Sequence, residues 1–257
     1  MDIAWLGLER HGDGQWAFEL TPPLARFDGK FFGGTGIAVA TAMMEAETGR
    51  AALWATAQFV GTADVGERFE CHVDVLAAGR KTSQLRMTGM VEDRLVLAAI
   101  GATGDPRPGP LNVQFGAMPD VPLPDETAEW RPNITIPIPT DVESWLSIVE
   151  LRGVGAPGVD LAMWARMRDM PQTRATLGFL ADMVPSRVVS AAGRVGAGTS
   201  LDNAMRYGPR PETDWILVEF DPYFAAGGYA HGGARLWAHD GTLLGVASQT
   251  ATLLLFD

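Results

Sequence analysis

A carboxylate, a hydroxyl and a carboxamide stand out in the second half of this 257-residue chain: Asp182, Ser200 and Gln249. Set around one point, such groups can take a proton from water and hold the water in line with a carbonyl. An internal comparison singles them out. Sliding the sequence on itself by 147 residues aligns Phe32 to Thr103 with the second half without a gap. Phe32 then falls on Phe179, Gly49 on Gly196, Gly61 on Gly208, Asp74 on Asp221, Asp93 on Asp240 and Leu97 on Leu244. In the same register Asp182 lies opposite Thr35, Ser200 opposite Leu53 and Gln249 opposite Ala102, so none of the three recurs. Burying a polar group without a partner costs about 1–3 kcal/mol. A duplicated fold therefore keeps one only where something uses it, which predicts one functional site per chain, in the second half.

Each residue also has a purely structural reading. Asp182 can cap a helix start, Ser200 can be a plain strand serine, and Gln249, among Val246, Ala247 and Leu253, can satisfy a buried backbone group. Asp202 divides evenly between supporting the site and binding a turn. Arg187, Arg194, Arg206 and Arg210 suit phosphate contacts or plain solvation. His231, in the glycine-rich GGYAHGGA, reads as a loop histidine. The single cysteine, Cys71, alternates with Phe69, Val73 and Val75 and reads as core. It leaves no internal disulfide, as a reducing compartment requires. No Cys/His cluster has metal-ligand spacing, and GGTG (33–36) is too short for a dinucleotide fingerprint. No metal or cofactor is expected.

The elements that must position these residues follow from turns and periodicity. Short strands are expected at 3–8 and 15–20. A helix follows at 34–48, stopped by Gly49, with Gly33-Gly34 and its alanines allowing close approach to a neighbour. Strands are expected at 52–60, 67–77, 82–91 and 95–102. Nine of the 17 prolines fall between Pro106 and Pro139, which reads as an extended linker. The second half repeats the plan: strands at 143–151 and 158–168, one helix at 173–188, then strands at 198–207, 214–221, 228–238 and 243–255. The last two are joined by a turn at His239-Asp240-Gly241. Strands in direct succession favour antiparallel pairing, because parallel pairs need crossovers. The expected fold class is α+β: a tandem, or double, hot-dog fold, each half a long helix wrapped by an antiparallel sheet, together a pseudo-dimer. The halves are placed at 1–104 and 143–257, with the linker at 105–142.

Composition narrows the function. A 47% hydrophobic fraction with 20% charged residues is ordinary for a globular protein. Net charge of −11 argues against broad nucleic-acid binding, yet a few arginines can still form a local anion pocket. No run approaches the ~18 apolar residues of a membrane helix, and the first residues lack a basic-then-apolar signal segment. No membrane partner and a cytoplasmic location are expected.

Over nearly its whole length the chain resembles the acyl-CoA thioesterase II (TesB-like) family of double hot-dog enzymes. In the first half the resemblance lies in FFGGTGIAVATAM (31–43) and in the strands within 55–87. In the second, FLADMVPSRV (179–188) is similar to the family's L-S-D helix start, and TSLDNAMRYGPRP (199–211) to its A-T-I-D-H-S-M strand. DGTLLGVASQT (240–250) is similar to its closing stretch, with the same nine-residue step from aspartate to glutamine. The resemblance implies hydrolysis of acyl-CoA to acid and coenzyme A by water activated at Asp182 with Ser200 and Gln249. Asp202, Arg206 and Arg210 are the candidate substrate contacts. Backbone N–H groups at the start of the 173–188 helix would then serve as oxyanion donors. Departures are Ser200 for threonine, Asn203 for histidine, and Thr250-Ala251 for an acidic residue and glycine. Two competing functions are a non-catalytic acyl-CoA-binding protein and a hot-dog enoyl-CoA hydratase. The hydratase would carry histidine five residues after its aspartate, where this chain has Arg187. Homodimers are common among such chains, and one is expected here.

Overall fold

A helix buried on every side organises the first half. The computed structural model describes residues 4–107, 109–130, 142–154, 161–210 and 212–256. Within it, α1 (Gly33–Thr48) is buried continuously from Gly33 to Met44, so its sequence carries no polar stripe. Small residues at its start make the close approach possible. A Cβ on Gly34 would sit 2.6 Å from the Phe179 carbonyl oxygen, and one on Gly36 would sit 2.7 Å from the Phe59 ring. Gly49, in the left-handed region at φ 65, ends the helix with its N–H on the Glu45 carbonyl.

Around the helices runs one antiparallel sheet. Its first-half strands are β1 (Glu9–Gly12), β2 (Gln15–Glu19), β3 (Ala51–Phe59), β4 (Arg68–Ala78), β5 (Thr82–Val91) and β6 (Arg94–Gly104). The second half adds β7 (Val149–Gly153), β8 (Ala162–Met167), β9 (Gly196–Tyr207), β10 (Ile216–Ala226), β11 (Tyr229–Ala238) and β12 (Leu243–Leu255). The order among the described residues is β1-β2-β4-β5-β6-β3-β9-β12-β11-β10-β8-β7. The two halves therefore join edge to edge at β3–β9, as the tandem hot-dog architecture requires.

The pairing at that junction refines the repeat. Ala55 faces Met205, Thr56 faces Ala204 and Ala57 faces Asn203, so a pseudo-twofold axis passes between Thr56 and Ala204. Both central strands also carry a bulge at the same place. The register slips between Ala52 and Trp54 against β6, and between Ser200 and Asp202 against β12. Here the halves correspond with an offset of 148, one more than the sequence register. Ser200 thus answers to Ala52 rather than Leu53, and Gln249 to Gly101 rather than Ala102. The first-half counterparts remain apolar, and the asymmetry stands.

Two expectations for the second half and one for the first are corrected. The 173–188 helix is two helices, α2 (Arg174–Ala181) and α3 (Val184–Ala191). Pro185 is the cause: it has no N–H to bond the Ala181 carbonyl, and its ring crowds that carbonyl, so the helix stops and restarts. Residues 145–148 form a short 3-10 turn, and β7 begins at Val149. Of the expected 3–8 strand, residue 3 lies outside the described residues, residues 4–7 form a turn ending on Gly7 (φ 65), and pairing begins at β1. Residues 131–141 of the expected linker and 158–160 of the expected strand lie outside the described residues.

α2 starts at a reciprocal cap: the Thr173 hydroxyl accepts the Thr176 N–H at 3.2 Å, and the Thr173 N–H bonds the Thr176 hydroxyl at 2.7 Å. Thr173→Ala should lower stability by about 1 kcal/mol, read as a lower urea midpoint at unchanged slope. Phe32, just before α1, stacks on Trp145 at 4.8 Å and meets Phe179 of α2 edge-on at 5.1 Å. These rings lock the start of α1 against α2.

Candidate active site

The break between α2 and α3 places a carboxylate where helix would otherwise continue. Asp182 is the residue at which α2 ends, and its side chain is turned into the interior at 7% exposure. The start of α1 packs directly on it: a Cβ on Gly33 would lie 2.7 and 2.9 Å from the two carboxylate oxygens. Glycine is required there for space, since α1 otherwise could not come so near.

Three side chains from the sheet complete the corner. Asn203 on β9 donates its Nδ2 to Asp182 Oδ1 at 3.0 Å. Gln249 on β12, registered against Asn203, donates its Nε2 to the same Oδ1 and to Ser200 Oγ, the latter at 2.8 Å. Ser200 and Asn203 are three apart, and strict alternation would put them on opposite faces. The β9 bulge lets both face the helices. Asp202 holds the bulge by accepting the Thr250 N–H at 2.8 Å.

Electrostatics follows from enclosure. Burial pushes the Asp182 carboxyl up to about 7, against the opposing pull of Asn203, the Gly34 N–H, Gln249 and the charge of Arg26. A base with a pKa near neutrality is matched to proton transfer at that pH. Among the described residues, the Asn203 Oδ1 and Gln249 Oε1 acceptors are buried without a hydrogen-bond partner. Ser200 is half-buried, so the corner opens toward solvent on its side.

Comparison with known proteins identifies the chemistry. The acyl-CoA thioesterase N-terminal domain matches residues 21–104, and the acyl-CoA thioesterase C-terminal domain matches residues 115–253. This chain belongs to the acyl-CoA thioesterase family. It is a thioester hydrolase. Among solved structures, this thioesterase is similar to one from Novosphingobium aromaticivorans described as a thioesterase. They are 29% identical with a TM-score of 0.86, over 96% of this chain and 98% of that one. The tesB protein of Mycobacterium avium subsp. paratuberculosis shares the fold at 20% identity and TM-score 0.81, over 98% and 97% of the two chains. A hot-dog-fold protein of Alicyclobacillus acidocaldarius does so at 20% and 0.82, over 97% and 96%. No curated protein matches the chain.

Of the residues expected from the sequence of this thioesterase, Asp182, Ser200 and Gln249 come together. Asp202 lies beside them with its carboxylate on the Thr250 backbone. Arg206 is exposed and stacks over Trp54 at 5.1 Å, across the β3–β9 junction. Arg210 is exposed after β9. His231 bonds the Thr250 hydroxyl at 2.9 Å and does not reach the corner, and Cys71 is core. The helix start that meets Asp182 is that of α1. The expected donors at the start of α2 stand about 12 Å away, eight residues of helix at 1.5 Å each. Sequence reasoning missed Asn203 as a partner of Asp182 and Gly33-Gly34 as the wall of the corner. The β9 register would have revealed the first.

Proposed function

We propose that the chain hydrolyses acyl-CoA by water activated at Asp182, with Ser200 and Gln249 holding that water and acyl-CoA as the substrate. The observation that carries this is the single Gln249 amide bridging the Asp182 carboxylate and the Ser200 hydroxyl in a corner that the first half does not repeat. Asp182 takes one proton from water, and the oxygen attacks the thioester carbonyl carbon. The tetrahedral intermediate then collapses with cleavage of the C–S bond. The proton held on Asp182 passes to the departing thiolate, giving acid and free thiol. The Gly33 N–H at the start of α1 is the proposed oxyanion donor. Asp202, Arg206 and Arg210 belong to the reading as contacts of the substrate's outer parts, with a homodimer in the cytoplasm as its setting.

The test is release of free thiol from acyl-CoAs of graded length, short to long and aromatic, trapped by a thiol reagent. Turnover supports the reading. Ligands that raise the melting temperature without turnover would instead establish an acyl-binding protein. Because the working form of Asp182 is the carboxylate, kcat/KM should rise with pH and level off, with its acid limb near 7. A limb at the ordinary aspartate value near 4 would remove Asp182 from the role.

A further inference from the structure

Asn203 is fully buried and contacts the proposed base directly, through Nδ2 to Asp182 Oδ1 at 3.0 Å. Three observations separate it from a packing residue. Its counterpart across the pseudo-twofold axis is Ala55, which pairs with Gly101 as Asn203 pairs with Gln249. The same strand junction therefore closes with an alanine. Its Oδ1 is a buried acceptor with no donor among the described residues, a cost packing alone would not select. Finally, its N–H and that of Gln249 converge on one carboxylate oxygen, which fixes the rotation of the Asp182 side chain.

We propose that Asn203 is a positioning residue of the hydrolytic corner, holding Asp182 oriented and ionisable through a neutral N–H donor. The inference rests on the role given to Asp182 above. Few charges compete for control of that carboxyl. The first turn of α1 carries no acidic group, and β12 presents Gln249. On β9, Asp202 is engaged with the Thr250 N–H. Arg26, from the segment before α1, lowers the Asp182 carboxyl from a distance and is itself paired with Asp28. The neutral donors Asn203, Gln249 and the Gly34 N–H thus carry most of the stabilisation of the anion. Removing one of them should leave Asp182 harder to ionise.

The experiment is the pH profile of kcat and KM for wild type, Asn203→Ala, Asn203→Asp and Asn203→His, with melting temperatures alongside. In Asn203→Ala the acid limb should move up by about one pH unit and kcat at pH 7 should fall about fivefold, with KM within about twofold. Asn203→Asp is close in size and sets a second carboxyl against the first, so its limb should move further up. Asn203→His restores an N–H donor and should bring the limb back toward the wild-type position. An unmoved limb in both Asn203→Ala and Asn203→Asp overturns the proposal, as does a loss equal at every pH. If Asn203→Ala does not fold, the limb of Asn203→Asp decides alone. Should Asp182→Asn retain turnover, the hydrolytic reading itself fails. Should Asp182→Asn be inactive while the Asn203 limbs stay put, only the positioning role fails.

Discussion

Asp182→Asn is expected to abolish thiol release while leaving a folded protein that is more stable than wild type above neutral pH. The loss of activity follows from chemistry: an amide in the same volume cannot accept a proton, and positioned general-base assistance is worth about 10²–10⁴ in rate. The gain in stability follows from linkage. Folding raises the Asp182 carboxyl from the ordinary value of 3.8 to about 7, so the folded protein holds that proton more tightly than the unfolded chain. Stability from this group is fully present below about pH 4 and is lost as pH rises through 7. At pH 8 the protein carries a buried charge that costs on the order of 4 kcal/mol relative to an exposed carboxylate, reduced by whatever relaxation the corner allows. Thermal melts at pH 5.5 and pH 8 check it. The variant should already gain at pH 5.5, where the unfolded carboxyl is ionised and the folded one is not, and should gain about twice as much at pH 8. A destabilised variant at pH 8, or one with undiminished turnover, contradicts the expectation.

Gly33→Ala is expected to lower kcat about 100-fold, an effect as large as many direct catalytic substitutions. The added methyl would stand 2.7 and 2.9 Å from the two Asp182 oxygens. Asp182 has a short side chain clamped by Asn203 and Gln249, so it cannot swing aside without breaking both bonds. Either α1 retreats or the carboxylate turns, and a misplacement near 1 Å can cost about 10² in rate. Gly49→Ala at the opposite end of the same helix meets no atom within 4 Å. Its left-handed backbone should cost stability and leave kcat unchanged. Equal kcat for Gly33→Ala and wild type would show that the first half does not bear on the chemistry.

Much of this arrangement was legible in the sequence because it is carried by periodicity and turns. α1 and the strands after it fall within a residue or two of where Gly49, Gly79-Arg80 and Glu92-Asp93 punctuate the chain. The continuous sheet follows from strands in direct succession, twice. What escaped is what depends on a single residue's geometry. Pro185 splits the second helix and turns Asp182 from a helix start into a helix end. The bulge beyond Ser200 rotates Asn203 inward, and at this strand the repeat runs one residue out of the ungapped register. An ungapped self-alignment cannot show such a shift, because it assumes constant register. The contribution of α1 was partly visible: Gly33-Gly34 signalled a close approach, but not which surface approached.

At Gly101, where the second half begins the Gln249 side chain, the first half has no side chain at all. A Cβ there would meet Met44 Sδ at 2.6 Å. A thioether from α1 thus stands in the corner that mirrors the proposed site. One occupied corner per polypeptide is the expected result: a tight, non-hydrolysable ligand of the proposed site should saturate at a single equivalent per chain, and restoring symmetry would require removing Met44 as well as adding the polar trio. The first half thus lends the proposed site a wall, Gly33-Gly34 of α1, while its own counterpart corner is filled by a thioether.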